Sequence, residues 1–136
     1  MGKRRGINKY KIDGCRIKSD GTIDVHFSLH DATILSDEIT NLSGKRLELQ
    51  LNINGSYSVY HTIMFNDYII KKNSKIKNGW ILDAEFKIFD NGRYETTICF
   101  DYYLKNKRFE EELIVNSKSI EFLSDDCDGF VFPSNY

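Results

Sequence analysis

Three consecutive strands with marked turns, between residues 80 and 116, constrain the fold more than any other feature of this sequence. The first strand starts at Trp80 and ends before Asp90-Asn91-Gly92, and the second runs from Tyr94 to a turn at Lys105-Asn106-Lys107. Residues of the second strand alternate between two faces, as in a strand with one buried face. One face carries Tyr94, Thr96, Ile98, Phe100 and Tyr102, and the other carries Glu95, Thr97, Cys99, Asp101 and Tyr103. We therefore expect an antiparallel unit in which Tyr94 faces the core.

The same alternation recurs along the rest of the chain. A hairpin turn at Ser19-Asp20-Gly21 separates two predicted strands at residues 10–18 and 22–30, and another strand begins at Arg46. Two more strands are predicted at residues 57–65 and 68–71, after turn residues at Asn54-Gly55 and Asn66-Asp67, and a short helical turn near residues 36–41 stays open. Together these patterns predict an all-β, antiparallel β-sandwich of about eight or nine strands. Its predicted core is Leu47, Leu49, Leu51, Val59, Ile63, Phe65, Phe86, Ile88, Tyr94, Ile98 and Phe100.

Length and composition predict one domain. The chain has 136 residues, of which 40% are hydrophobic and 13% aromatic, enough for a single core. We expect one domain over residues 1–136, with a basic amino-terminal extension of about residues 1–9 and an acidic carboxyl-terminal tail of about residues 117–136. The amino terminus lacks the apolar segment of a signal peptide, and no apolar run could span a bilayer, so a cytoplasmic location without a membrane span is expected.

No arrangement of reactive residues predicts catalysis or a cofactor. Cys15, Cys99 and Cys127 are odd in number and lack CxxC spacing, which favours reduced thiols. His26 and His30 are solvent-facing positions on one strand face, roughly 13 Å apart and too far to share a metal. His61 is expected to face inward as a satisfied core or rim histidine. No metal, cofactor or catalytic residue is predicted, and the protein is expected not to be an enzyme.

Residues 45–116 resemble the immunoglobulin-like β-sandwich modules of the three-tyrosine type. The resemblance rests on the segments Tyr57-Ser58-Val59-Tyr60, Asn66-Asp67-Tyr68-Ile69-Ile70-Lys71-Lys72 and Asp90-Asn91-Gly92-Arg93-Tyr94. Such modules are often attached to bacterial sensors and to enzymes of cell-surface polysaccharide metabolism, so the resemblance implies an accessory or binding role. Tyr94, just after an Asp-x-Gly turn, resembles their tyrosine corner, which implies a hydrogen bond from its hydroxyl to the backbone near residues 89–91.

Charge is distributed unevenly between the two ends of the chain. Residues 3–18 are basic and residues 110–128 are acidic, while the net charge is −1. The two ends either pair within the molecule, or the acidic end meets a basic protein partner, or the basic end meets a polyanion. With only Tyr10 among the basic residues, nucleic acid is not expected as a partner. The candidate binding residues are the acidic positions and two tyrosines expected to be exposed: Tyr60, Tyr103, Glu110, Glu112, Asp125, Asp126 and Asp128.

Three functions fit these patterns. The first is a non-catalytic binding or accessory module that recognises a protein or a glycan. The second is a small stand-alone inhibitor or immunity-type protein that blocks a toxin or an enzyme. The third is a structural subunit of a phage or secretion assembly that associates through exposed strand edges. Genomic context distinguishes them, because a glycan enzyme, a toxin or a set of virion genes would lie nearby.

Overall fold

The computed structural model of this chain describes residues 12, 14–35, 40–42, 46–52, 60–72 and 79–134, with backbone alone for residues 40–42. These ranges contain twelve strands and no helix. The strands are β1 (Arg16–Ile17), β2 (Ile23–Asp24), β3 (Thr33–Ile34), β4 (Thr40–Leu42), β5 (Arg46–Asn52), β6 (Thr62–Asn66), β7 (Ile69–Lys72), β8 (Trp80–Ile88), β9 (Tyr94–Leu104), β10 (Lys107–Ser117), β11 (Ser119–Leu123) and β12 (Phe130–Phe132).

All strand pairs are antiparallel, and the fold is an all-β sandwich. The main sheet has the order β12-β11-β6-β5-β3-β8-β9-β10-β7, and β4 pairs with β5 beside β3. In one layer β5 pairs with β6, β6 with β11 and β11 with β12. In the other layer β8, β9 and β10 form the predicted three-strand unit, and β7 pairs with β10 at its edge. The short strand β3 pairs with both β5 and β8 and so connects the two layers.

The sandwich core matches the alternation of the sequence. Ten of the eleven predicted core side chains are buried, and Val59 lies outside the described residues. Residues from the amino-terminal and carboxyl-terminal segments complete the core, including Ile23, Leu29, Ile120, Phe122 and Phe132. Every one of these side chains is less than 5% exposed, so both ends of the described chain contribute to the interior.

The amino-terminal hairpin is present but much shorter than predicted. Arg16 pairs with Asp24 and Ile17 with Ile23 around the predicted turn, and regular strand structure stops at Asp24. Residues 40 and 41 of the helical turn considered near residues 36–41 belong to strand β4 instead. Residues 36–39, the Asn54-Gly55 turn and the basic residues 3–9 lie outside the described residues. In the chain after Asp24, the ring of Phe27 packs against the rings of Tyr60 and Phe122.

The carboxyl-terminal segment is part of the sandwich, which corrects the prediction of an acidic tail over residues 117–136. β11 pairs with β6 and β12 pairs with β11, placing Phe122 and Phe132 in the core. The hydroxyl of Tyr94 also donates to a different partner from the one that the tyrosine corner implied. The hydroxyl of Tyr94 donates its hydrogen bond to the carbonyl oxygen of Pro133 at 2.7 Å, so its single proton does not go to the turn at residues 89–91.

Candidate functional site

The β9–β10 hairpin has the longest strands among the described residues and carries several predicted binding residues. Each strand has eleven residues, and the turn between them consists of Lys105 and Asn106, whose φ angles are 52° and 65°. Two residues with positive φ are typical of a type I′ turn, which suits the twist of a tight hairpin. Residues 103–110 are all exposed, so this end of the hairpin extends beyond the core.

Four residues of β8, β9 and β10 lie together on one face of the sheet and form what we call the outer-face cluster: Trp80, Asp101, Tyr103 and Arg108. Trp80 lies opposite Asp101 in the β8–β9 register, and Arg108 lies opposite Tyr103 in the β9–β10 register. The rings of Trp80 and Tyr103 are 5.5 Å apart and tilted by 31°, and Tyr103 is 61% exposed, as expected. The cluster therefore presents an aromatic surface to solvent.

A buried carboxylate lies in the same cluster. Asp101 has no exposed side-chain surface, and its carboxylate forms an ion pair with Nη2 of Arg108, whose side chain is 59% exposed. A buried charge is costly unless it is paired, and neither oxygen of this carboxylate has a hydrogen-bond partner among the described residues, so the guanidinium offsets only part of that cost. The pair therefore holds Arg108 in place beside Tyr103.

The opposite face of the hairpin carries a row of stacked rings. Tyr102 lies 6.3 Å from Phe100 at 30°, and Phe109 lies 5.5 Å from Tyr102 at 19°. Phe100 is fully buried, whereas Phe109 is 39% exposed. The row thus leads from the core to the edge of the sheet.

The predicted glutamates lie on β10. Glu110 is exposed, whereas Glu112 forms an ion pair with Lys72 at 3.4 Å and accepts a hydrogen bond from the thiol of Cys99 at 3.7 Å. Burial raises the pKa of the Cys99 thiol, and the negative charge of Glu112 raises it further. Glu112 is therefore engaged within the molecule, and Glu110 is the residue that faces solvent.

The predicted aspartates lie together in the loop between β11 and β12. Asp125, Asp126 and Asp128 are exposed, and the hydroxyl of Ser124 accepts hydrogen bonds from the backbone N–H groups of Asp126 and Cys127. Nε2 of His61 lies 3.2 Å from Oδ1 of Asp125. In the strand order, five strands separate this loop, at the end of β11, from the glutamates of β10. The structure therefore places the acidic candidates in two groups.

Tyr60 is buried, which corrects the prediction that it is an exposed contact residue. It is 4% exposed, its ring lies 4.9 Å from Phe27 and 5.7 Å from Phe122, and burial raises its pKa. The prediction assumed that alternate residues of this segment face solvent. That assumption is wrong because Tyr60 precedes β6, and residues 62–65 of β6 are buried on both faces.

The histidines take structural positions. His61 is a rim residue, as predicted, with its Nδ1 2.8 Å from the hydroxyl of Thr62. His26 and His30 do not share a strand, because regular structure ends at Asp24. Both side chains are exposed, as predicted: the ring of His26 lies 4.9 Å from that of Phe130, and Nδ1 of His30 donates to the carbonyl of Leu82 at 2.8 Å.

The acidic end pairs with residues outside the basic amino-terminal segment. Lys72 binds Glu112, Arg46 lies 3.6 Å from Glu121, and His61 lies beside Asp125. Within the described ranges, neither Arg16 nor Lys18 forms an ion pair with that end. Lys3, Arg4, Arg5, Lys9 and Lys11 lie outside the described residues.

Other candidate chemistry is sparse in the part of the chain that the structure describes. All three cysteines are free there, as predicted, and no group of three or more His, Cys, Asp or Glu side chains is arranged to hold a metal ion. A cavity of about 200 Å³ lies between residues 25–30 and β8, which is smaller than a typical small-molecule site. No helix in the described ranges is long and apolar enough to cross a membrane.

No protein-family model matches this chain, and neither a curated protein nor a solved structure matches it.

Proposed function

We propose that this protein is a non-catalytic binding module that recognises a protein partner through the outer-face cluster. The observation that carries the proposal is the exposed ring of Tyr103, which is packed on Trp80 and lies beside Arg108. Trp, Tyr and Arg are the residue types most enriched where a few side chains supply most of the binding energy of an interface. Here Tyr103 and Arg108 lie on the exposed end of the hairpin, and Trp80 lies beside them at the start of β8.

The cluster is also ordered before any partner binds. The ring contact restrains Trp80 and Tyr103, and the ion pair with Asp101 restrains Arg108. Side chains that are already fixed lose less conformational entropy on binding, which favours affinity. Glu110 lies opposite Asp101 in the register and adds an exposed acceptor at the border of the cluster. A partner with an apolar centre and polar surroundings would complement this surface.

A glycan is the second ligand class for the same cluster. Exposed aromatic rings with hydrogen-bonding groups beside them offer a flat apolar face together with polar contacts, and Tyr103 and Arg108 supply both. The immunoglobulin-like assignment of residues 45–116 remains a proposal and favours the same accessory role. A cytoplasmic location and a role as a structural subunit also remain predictions.

The test compares wild-type protein with Tyr103→Ala in affinity capture from the native host, followed by mass spectrometry and by binding measurements with the purified partner. We expect Tyr103→Ala to weaken binding about tenfold or more. The matched control is Ile69→Ala, because Ile69 is 60% exposed but lies on β7, outside the cluster. Equal binding by wild-type protein and Tyr103→Ala would exclude the cluster as the interface, and binding to a glycan array lost in Tyr103→Ala would identify the glycan alternative.

A second candidate function uses the acidic loop. Asp125, Asp126 and Asp128 are exposed and are bordered by Leu123 and Val131, which are 36% and 47% exposed. A dense negative loop beside apolar side chains suits a basic partner, as in an inhibitor or immunity-type protein that blocks a toxin or an enzyme.

Charge reversal of the three aspartates tests this alternative. If the loop is the interface, the triple Lys variant should associate more slowly with the captured partner and show a weaker dependence on salt. The fold should be unchanged, because all three side chains are exposed. Association at the wild-type rate at low ionic strength would leave the loop as a solvated turn and direct attention to Tyr103.

A further inference from the structure

Part of the outer edge of β10 has no strand partner among the described residues. β7 pairs with β10 only at Ile114, Val115 and Asn116. The segment of β10 from residue 107 to residue 111 pairs with β9 on its inner edge, and residues 107–110 are all exposed. An unpaired strand edge offers free N–H and C=O groups to another strand. This segment is therefore able to extend the sheet.

The turn geometry decides which residues offer those groups. In a hairpin with a two-residue turn, the residues that flank the turn form a hydrogen-bonded pair, here Leu104 and Lys107. Along β10 the pairs then alternate, so Phe109 also bonds to β9 while Arg108 and Glu110 direct their N–H and C=O groups to the outer edge. A partner strand would thus bond to Arg108 and Glu110.

The side chains along this edge are self-complementary in charge. The sequence Lys107-Arg108-Phe109-Glu110-Glu111 changes from positive to negative about Phe109. A twofold axis perpendicular to the sheet at Phe109 places a second copy antiparallel to the first and keeps equivalent faces together. It sets Lys107 opposite Glu111, Arg108 opposite Glu110 and Phe109 opposite Phe109 of the second copy, each ion pair occurring twice. Opposite charges at facing positions stabilise a strand pair.

The neighbouring register is less complementary, because only Arg108, opposite Glu112, would face an opposite charge. An axis at Glu110 would use the same outward backbone groups, but it would place Glu110 against Glu110 and Phe109 against Glu111. Like charges directly opposite each other destabilise a strand pair. The register centred on Phe109 is therefore favoured.

The aromatic row gives the same edge an apolar contact. Phe109 is 39% exposed and stacked on Tyr102, and facing residues on adjacent strands bring their Cβ atoms to about 5 Å. A second Phe109 would continue the row and remove both rings from water. The contact then joins the stacked rings of two molecules.

From the free edge, the charge pattern and the exposed ring, we propose that two copies of this chain associate through residues 107–111 of β10 and form a continuous antiparallel sheet across a twofold axis. A strand pair of this length buries little area, so the dimer is a weak one whose population depends on concentration. The proposal goes beyond the binding function: Arg108 and Glu110 are shared with the outer-face cluster, but Lys107, Phe109 and Glu111, which the test changes, lie on the face opposite Tyr103.

The test exchanges charges across the twofold axis and measures sedimentation velocity over a wide range of protein concentration. Lys107→Glu sets two pairs of glutamates against each other in its homodimer, and Glu111→Lys sets two pairs of lysines against each other. Each variant alone should dissociate about tenfold or more readily than wild type. In an equimolar mixture both ion pairs re-form between the two variants, so the dimer should return. Phe109→Ser should weaken the dimer as well, because it removes the central ring contact.

The matched control is Glu85→Lys, which makes the same charge change at an exposed position of β8 and should dimerise like wild type. Circular dichroism confirms that each variant is folded. A wild-type protein that is monomeric at every concentration would overturn the proposal. So would a wild-type dimer whose charge-exchanged variants fail to associate when mixed, because the register centred on Phe109 would then be wrong.

Discussion

The hydroxyl of Tyr94 donates a hydrogen bond to the carbonyl oxygen of Pro133, 39 residues further along the chain. Tyr94 opens the central strand of one layer, and Pro133 follows the last strand of the other. The ring of Tyr94 also stacks on Phe132 at 5.3 Å. Tyr94 thus connects the two layers of the sandwich.

Removing this hydroxyl should destabilise the fold without unfolding it. Tyr94→Phe keeps the stacked ring and loses one hydrogen bond from a fully buried side chain, so the free energy of unfolding should fall by about 1 kcal/mol. Urea denaturation gives this value from the midpoint at constant slope. Tyr103→Phe is the control, since the hydroxyl of an exposed tyrosine should contribute little. An unchanged midpoint for Tyr94→Phe would mean that the bond contributes no net stability.

The last strand should be essential for stability. Phe132 has no exposed surface and contacts the rings of Phe86, Tyr94 and Phe122, so Phe132→Ala should cost about 3 to 5 kcal/mol. Val131 is adjacent but 47% exposed, and Val131→Ala should change the free energy by no more than about 0.5 kcal/mol. Similar denaturation midpoints for the two variants would contradict the placement of this strand in the core.

The sequence predicted those strands whose pattern lies within one segment of the chain, and it missed those whose burial depends on distant residues. The unit β8–β9–β10 was predicted nearly in full, because alternation and turn residues within the segment define it. β11 and β12 were missed because they are short and flank an acidic loop. Their burial depends on pairing with a distant strand, as when Phe122 lies opposite Ile63. Tyr60 was placed wrongly for a related reason, since both faces of the following strand are covered.

The candidate site was predicted only in part. Tyr103 was placed on the outer face by alternation, and its exposure was confirmed. The same alternation put Asp101 on that face, but its burial depends on the neighbouring strands, where Trp80 and Arg108 lie. The edge of β10 that lacks a strand partner among the described residues could not be predicted either, because the sequence does not say how far β7 extends along it.

Two glycines with similar backbone conformations should respond differently to substitution. Gly21 has a φ of 94°, and a Cβ atom added there would lie 2.6 Å from the carbonyl oxygen of Ile88. Gly14 has a φ of 74°, but the nearest atom to its added Cβ would be 4.0 Å away. Gly14→Ala should therefore cost about 1 kcal/mol from backbone strain alone. Gly21→Ala should cost about 2 kcal/mol or more, because the clash is with backbone. Thermal unfolding compares them, and equal losses would contradict the close contact with Ile88.

The Cys99 thiol should react slowly with alkylating reagents. Burial and the charge of Glu112 raise its pKa, so its thiolate fraction is smaller than usual at any pH below that value, and the alkylation rate should rise only at higher pH. Glu112→Gln removes the nearby charge and should accelerate the reaction, while burial keeps it slower than that of an exposed thiol. Mass spectrometry measures the rate at each cysteine, with the exposed Cys127 as an internal control. An unchanged rate at Cys99 would exclude Glu112 as a cause.

The ion pair between Asp101 and Arg108 should show strong coupling in a double-mutant cycle. Arg108→Met leaves a fully buried carboxylate without its counter-charge and should cost about 1 to 3 kcal/mol, less than for a pair buried on both sides, because water reaches the half-exposed guanidinium. Asp101→Asn introduced into Arg108→Met should recover part of the loss, since the buried charge is then gone. Lys107→Met, at the exposed neighbouring position, controls for the loss of a positive charge on the hairpin and should stay within about 0.5 kcal/mol of wild type. If the two substitutions change the free energy of unfolding additively in urea denaturation, Arg108 does not stabilise the Asp101 carboxylate. The position of Arg108 beside Tyr103 would then need another explanation.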